Sequence, residues 1–167
     1  NFQCTSAGSI SLVANARAVT VANTSMVNVS AAAAGGDAGT FSVSAPTGLF
    51  IMNGNLQGTA GAGGAGGSAQ IDVGSLQSFT TLNDLLNTGM FTTSRNLRVR
   101  NGDVTISGTV TAHDFVLSVD HGDITVNGTI NASGQTGGNI NLIASGSVVI
   151  HSGALLSVAA QNFSDAG

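Results

Sequence analysis

The chain has no tryptophan, tyrosine, lysine or glutamate, and a single proline and a single cysteine in 167 residues. Without Trp or Tyr it lacks the usual platforms on which proteins stack sugar rings. The lone Cys4 excludes an internal disulfide, and a thiolate metal site would need companions that are missing. Charged residues make up only 7% of the chain, and four arginines against eight aspartates leave a net charge of −4. That excludes the concentrated basic surface that nucleic acid demands. No apolar run is long enough to read as a membrane-spanning helix. No basic-then-apolar leader opens the chain, so it is expected to be a mature or excised piece.

What is abundant is repetition. Asn101-Gly-Asp-Val-Thr-Ile-Ser-Gly-Thr-Val-Thr-Ala112 aligns without a gap on His121-Gly-Asp-Ile-Thr-Val-Asn-Gly-Thr-Ile-Asn-Ala132. Val104, Ile106 and Val110 fall on Ile124, Val126 and Ile130, alternating with Thr, Ser and Asn, the period of a strand with one buried face. Ser147-Val-Val-Ile-His151 begins the next copy, with the extra length taken up by Gly134-Gln-Thr-Gly-Gly138. A longer repeat contains the short one. Gly8-Ser-Ile-Ser-Leu-Val-Ala14 returns as Gly138-Asn-Ile-Asn-Leu-Ile-Ala144, and Asp37-Ala-Gly39 as Asp165-Ala-Gly167. A period near 20 built from short strands and turns is one rung of a parallel β-solenoid, each rung pairing with the one below. The expected fold is all-β: a right-handed parallel β-helix of about six rungs over residues 1–167, part of a longer tandem array.

Rung by rung, the expected inward residues are Ile10/Leu12, Val19/Val21 and Val27/Val29, then Phe41/Val43, Leu49 to Met52 and Leu56. Ile71/Val73 open a third rung that is soon interrupted. Three fuller rungs follow, the last carrying Ile140/Leu142, Val148/Ile150 and Leu156/Val158. The glycine-rich run 58–67 reads as a flexible loop on one face. The interruption near 79–88 is helical: Phe79, Leu82, Leu85 and Leu86 share a face, Thr80 or Thr81 caps it and Gly89 ends it. This helix is expected to fold onto its own sheet, since a short helix needs tertiary packing.

Gly-Asn-Ile-Asn-Leu-Ile-Ala-Ser-Gly-Ser-Val, Asn-Gly-Asp-Val-Thr-Ile, Gly-Asp-Ile-Thr-Val-Asn-Gly-Thr-Ile and Thr81-Leu-Asn-Asp-Leu-Leu-Asn-Thr-Gly89 resemble the repeats of filamentous-haemagglutinin-type exoproteins. The resemblance covers most of 8–167 with degenerate motifs. It implies a right-handed β-helix, export through an outer-membrane partner, and a surface role in a Gram-negative bacterium. That family's amino-terminal secretion domain has no counterpart in these residues.

The chemistry-bearing candidates are Asp103, Asp114, Asp120, Asp123, Arg98, Arg100, His113 and His121. At the 20-residue offset Asp103 lies under Asp123, a pair able to hold a cation or to serve as solvated corner residues. Arg100 lies under Asp120, an expected surface ion pair between rungs, with Arg98 beside Ser118. His113, His121 and His151 have no ligand spacing. The glycine run lacks the ending of a phosphate loop and the Asp spacing of calcium repeats. Sequons stand at Asn23, Asn28, Asn127, Asn131 and Asn162, in a chain whose composition makes most of them accidental. The expectation is a structural or adhesive extracellular module without catalysis, cofactor or metal, whose partners are itself and host or neighbouring-cell glycans or proteins. The alternatives are a carbohydrate-active β-helix enzyme and an ice- or surface-binding solenoid. The latter needs a flat threonine ladder, begun by Thr105/Thr125 and Thr109/Thr129 and broken at Ser147 and Gly153 or Ala154.

Overall fold

The computed structural model describes residues 5–160; Cys4, the Asn162 sequon and the second Asp-Ala-Gly lie outside them. The described chain is mostly β-structure with one helix, and all its strand pairings are parallel. It advances in tiers. The first holds β1 (Ser9–Val13), β2 (Val19–Val21) and β3 (Met26–Asn28). The second holds β4 (Thr40–Met52), which spans two strand positions, and β5 (Asn55–Gln57). In the third, β6 (Ser68–Leu76) is followed by α1 (Phe79–Thr88). The fourth holds β7 (Ser94–Val99), β8 (Val104–Ile106) and β9 (Thr109–Thr111); the fifth holds β10 (Asp114–Val119), β11 (Ile124–Val126) and β12 (Thr129–Asn131). The sixth holds β13 (Asn139–Ala144), β14 (Val148–Ile150) and β15 (Leu155–Ser157).

The first strands of successive tiers form one sheet in the order β1-β4-β6-β7-β10-β13. Beside it lie the sheets β8-β11-β14, β9-β12-β15 and β3-β5. These are open sheets, and their stacked parallel pairing is compatible with a β-solenoid.

Alternation puts the apolar slots inside, and register stacks like on like. Leu12, Val43, Ile71, Leu97, Leu117 and Leu142 form one ladder through the large sheet. Val104 sits under Ile124, Ile106 under Val126 and Val110 under Ile130, all six buried, as the 20-residue alignment requires. Burying each such side chain contributes about 1.5–3 kcal/mol. In the second tier Phe50 and Met52 are buried while Leu49 is partly exposed. The long strand β4 carries Pro46 at an irregularity between Ala45 and Leu49, where a missing N–H is tolerated.

The glycine-rich run 58–67 is not the free loop that its composition suggests. It is pinned against 31–38 and the end of the helix by Ala31 N–Thr59 O, Gly61 N–Gly36 O, Ala38 N–Ala65 O and Gly58 N–Gly89 O hydrogen bonds. A Cβ at Gly61 would overlap the backbone of Ala32 and Gly35, so glycine is there for close approach. Low complexity here encodes tight stacking.

The helix takes the place of the third tier's remaining strands, packing on β5, β8 and β9. Leu82 and Leu86 are buried, with Phe79 and Leu85 partly so. Ser78, not Thr80 or Thr81, is the N-cap: its Oγ accepts from Thr81 N at 3.1 Å, and Gly89 closes the other end.

Candidate functional site

The polar outer face of the large sheet gathers most of the chemistry that the sequence offers. One ladder of outward residues runs Ser11, Ser42, Gln70, Asn96, Val116 and Asn141; the next runs Val13, Ser44, Asp72, Arg98, Ser118 and Ile143. An open groove of about 370 Å³ lies over β4, β6 and β7, lined among others by Ser42, Ser44, Gln70, Asp72, Asn96 and Arg98. Gln70 and Asn96 are register partners whose amides make no hydrogen bond within the described protein, so both present donors and acceptors to solvent.

The ion pairs on this face differ from the expected Arg100–Asp120 contact. Arg98 is opposite Ser118, as the 20-residue offset requires, but its guanidinium reaches Asp120 at 2.8 Å. Arg100 instead grips Asp72 in the preceding tier, with Nε–Oδ1 and Nη2–Oδ2 both at 2.8 Å. Both pairs follow one diagonal. Asp72 is opposite Arg98 yet binds Arg100, and Arg98 is opposite Ser118 yet binds Asp120. The two guanidiniums reach in opposite directions, Arg98 forward to Asp120 in the next tier and Arg100 back to Asp72 in the preceding one. The hydrogen bond from Arg98 holds Asp120 below the ordinary carboxylate pKa, helped by the charges of Arg98, Arg100 and His121. The Asp72 hydrogen bond raises Arg100. Such exposed pairs contribute little to stability.

The stacked carboxylates bind backbone. Asp103 Oδ1 accepts from Asp123 N at 2.9 Å, and Asp123 Oδ1 accepts from Ser147 N at 2.6 Å, stapling each corner to the next tier. Gly102 and Gly122 precede them at φ +101° and +154°, backbone that other residues rarely adopt. Among the described residues no three His, Cys, Asp or Glu side chains converge as metal ligands would. His121 Nδ1–H donates to Arg100 O at 3.0 Å, and His151 is exposed.

His113 joins two neighbours, with Nδ1 3.3 Å from Asp114 Oδ2 and Nε2 3.2 Å from Thr136 Oγ1. Asp114 lies below its ordinary pKa because Asn139 donates to it, with His113 adding to the effect. The order hydroxyl–imidazole–carboxylate is that of a nucleophilic relay. Here, however, the imidazole and carboxylate are about two-fifths exposed. Among the described residues none closes over them to exclude water or position a substrate.

Of the sequons, Asn28 and Asn131 use Oδ1 to accept the amide two residues on, as turn formers, and Asn23 accepts from Thr24 N. Asn127 is exposed. The threonine ladder of two tiers meets Val149 and Leu155 in the next, the register partners of Thr125 and Thr129, in place of Ser147 and Gly153.

The polar cluster that sequence reading missed is internal. Arg95 is 1% exposed and occupies an inward slot between Ala69 and Phe115 in the ladder Ile10–Phe41–Ala69–Arg95–Phe115–Ile140. Its Nε donates to Phe91 O at 2.7 Å, Nη1 to Asn83 Oδ1 at 3.0 Å and Nη2 to Asn87 Oδ1 at 2.8 Å. Burial pushes its pKa down to about 10, leaving it charged at neutral pH. The same two asparagines face the edge of β9. Both donate Nδ2 to Thr109 O, and Asn87 Oδ1 also accepts from Thr111 N at 3.3 Å. One side-chain amide thus satisfies a C=O and an N–H two residues apart, the spacing that a neighbouring parallel strand would use. The signal was parity: Arg95 shares the side of Leu97 and Val99, and Asn83 and Asn87 flank Leu82 and Leu86.

Compared with known proteins, the chain is matched by no family model, no curated protein and no solved structure.

Proposed function

We propose that this chain is a segment of a right-handed parallel β-helix serving as a structural and adhesive module of an extracellular, filamentous bacterial surface protein, of the haemagglutinin type that its repeats resemble. One observation carries this reading: an apolar ladder runs in unbroken register through all six tiers, while the outward residues of the middle tiers are polar apart from Val116. A stack in which each tier contacts only its neighbours can lengthen without redesign, which suits a rod held away from a cell. Adhesion would use the groove over β4, β6 and β7, where the unpaired Gln70 and Asn96 amides suit hydroxyl-rich ligands such as glycans. We assign no catalysis, because Asp103 and Asp123 are engaged by backbone amides and the His113 relay is open to water.

The test is immunogold labelling of intact source cells with antibody raised to this segment. Labelling on filaments or at the cell surface is expected; labelling only after permeabilisation would overturn the reading.

A further inference from the structure

Three Asn-Gly steps stand at corners of the stack: Asn53-Gly54 between β4 and β5, Asn101-Gly102 between β7 and β8, and Asn127-Gly128 between β11 and β12. Asn53, Asn101 and Asn127 are all exposed. Asn-Gly is the pairing at which a side-chain amide is most easily lost. The glycine nitrogen can close on the asparagine Cγ with no Cβ in the way, and proteins of hyperthermophiles carry fewer asparagines because of such lability. By local sequence these steps are equivalent. The fold makes them different.

The difference lies in the attacking nitrogen. Gly102 N donates to His121 O at 3.0 Å, and Gly128 N donates to Ile106 O at 2.9 Å. Each of these nitrogens is tied to a carbonyl of an adjoining tier and must lose that bond before it can attack. Asn101 is held by its side chain as well, since Nδ2 donates to Gly74 O at 3.2 Å. At the remaining step neither the Asn53 side chain nor Gly54 N makes a hydrogen bond within the described residues. The backbone on both sides is anchored: Asn53 N donates to Val21 O at 2.9 Å and Asn55 N to Ser25 O at 2.7 Å. Gly54 itself is buried. A buried N–H without a partner carries an uncompensated desolvation cost. Turning that nitrogen into an imide removes the donor, whereas at Gly102 and Gly128 it sacrifices a bond.

We infer that Asn53 is a site of spontaneous modification, at which the folded chain deamidates ahead of Asn101 and Asn127 with water as the co-reactant. Gly54 N gives its proton to solvent base, and its lone pair forms a bond to Asn53 Cγ. The bond from Cγ to the side-chain nitrogen breaks, and that nitrogen takes up a proton and leaves as ammonia. A cyclic succinimide remains. Water adds to one imide carbonyl and reopens the ring, so that an amide and water have become a carboxylate and ammonia, with nothing oxidised or reduced. Opening at Cγ gives aspartate; opening at the main-chain carbonyl gives isoaspartate, whose backbone is longer by a methylene. The anchored amides of Asn53 and Asn55 oppose the longer backbone, as does the lack of room at Gly54, where a Cβ would lie 2.8 Å from Ser25 O. The product adds a negative charge to a corner of the second tier, in a chain whose net charge is already −4.

The test is peptide mapping by mass spectrometry of the 167-residue chain, held in warm, mildly alkaline buffer both folded and in urea. In urea the Asn-Gly steps should convert at similar rates, because only local sequence acts there. In the folded chain Asn53 is expected to convert several times faster than Asn101 or Asn127, and the first acidic species on ion exchange should carry its change at that residue. Asn53→Gln, whose longer side chain needs a larger ring, should abolish that species and leave the melting temperature unchanged. Earlier conversion at Asn101 or Asn127 in the folded chain overturns the assignment. So does an Asn53 that stays intact when folded yet converts in urea, or a ranking that is the same in both states.

Discussion

Strand edges are left open at two kinds of place in this molecule, and they are treated oppositely. Where α1 interrupts the third tier, the edge of β9 is sealed by the amides of Asn83 and Asn87, which Arg95 holds from inside. At β13 to β15 the described residues supply neither side-chain caps nor charge, and the apolar side chains are partly exposed. Both regions obey the same alternation. The difference shows that an edge is a choice. A helix with two asparagines closes one, whereas the last tier is built of plain strands without such a cap among the described residues. The buried guanidinium belongs to the first solution: it fixes two amides that would otherwise rotate, at the cost of keeping a desolvated cation in an apolar ladder.

The comparison breaks hardest at Arg95. Arg95→Ala leaves Phe91 O and Asn83 Oδ1 without their donor and opens a void beside Phe115. It should cost about 3–5 kcal/mol in urea unfolding. Leu156→Ala in the end tier should cost under about 1 kcal/mol in the monomer, because that side chain is already partly in water. Equal losses would mean that the end tier is packed like the middle. Next in size is Asn87→Leu, which leaves Thr111 N–H unpaired at the β9 edge. A loss of about 1–3 kcal/mol is expected, with faster hydrogen exchange at Thr111 and no change at Val126. Unchanged protection at Thr111 would show that the amide does not act as a strand surrogate.

A smaller effect separates the charged middle by pH. Asp120 and Asp114 sit below their ordinary pKa in the folded chain, so the unfolded state takes up protons first as pH falls. Their contribution is present above about pH 4 and is lost on further acidification. The melting temperature should fall modestly from pH 5 to pH 2, and Asp120→Asn should flatten that slope. The smallest effect is expected from Arg98→Ala or Arg100→Ala, each leaving the melting temperature nearly unchanged. A large drop in melting temperature would mean that the outer face is covered.

By itself the sequence determined the parallel stacking partners and the inside–outside division. The reason is that a period of two, repeated at an offset of 20, admits one register in which Val104, Ile106 and Val110 lie under Ile124, Val126 and Ile130. It also located the helix, because Leu82 and Leu86 keep a helical spacing and Gly89 ends it. Partners that depend on reach were not legible. Arg100 had a carboxylate directly alongside and another on the diagonal, and only the side-chain arrangement in three dimensions, with Asp120 already taken by Arg98, selected Asp72. The glycine run looked loose because composition cannot say what backbone lies against it. Arg95 carried the parity of a core residue and the chemistry of a surface one. Only the folded arrangement decided between them, since two helix asparagines and a carbonyl had to converge on its guanidinium before burial became affordable.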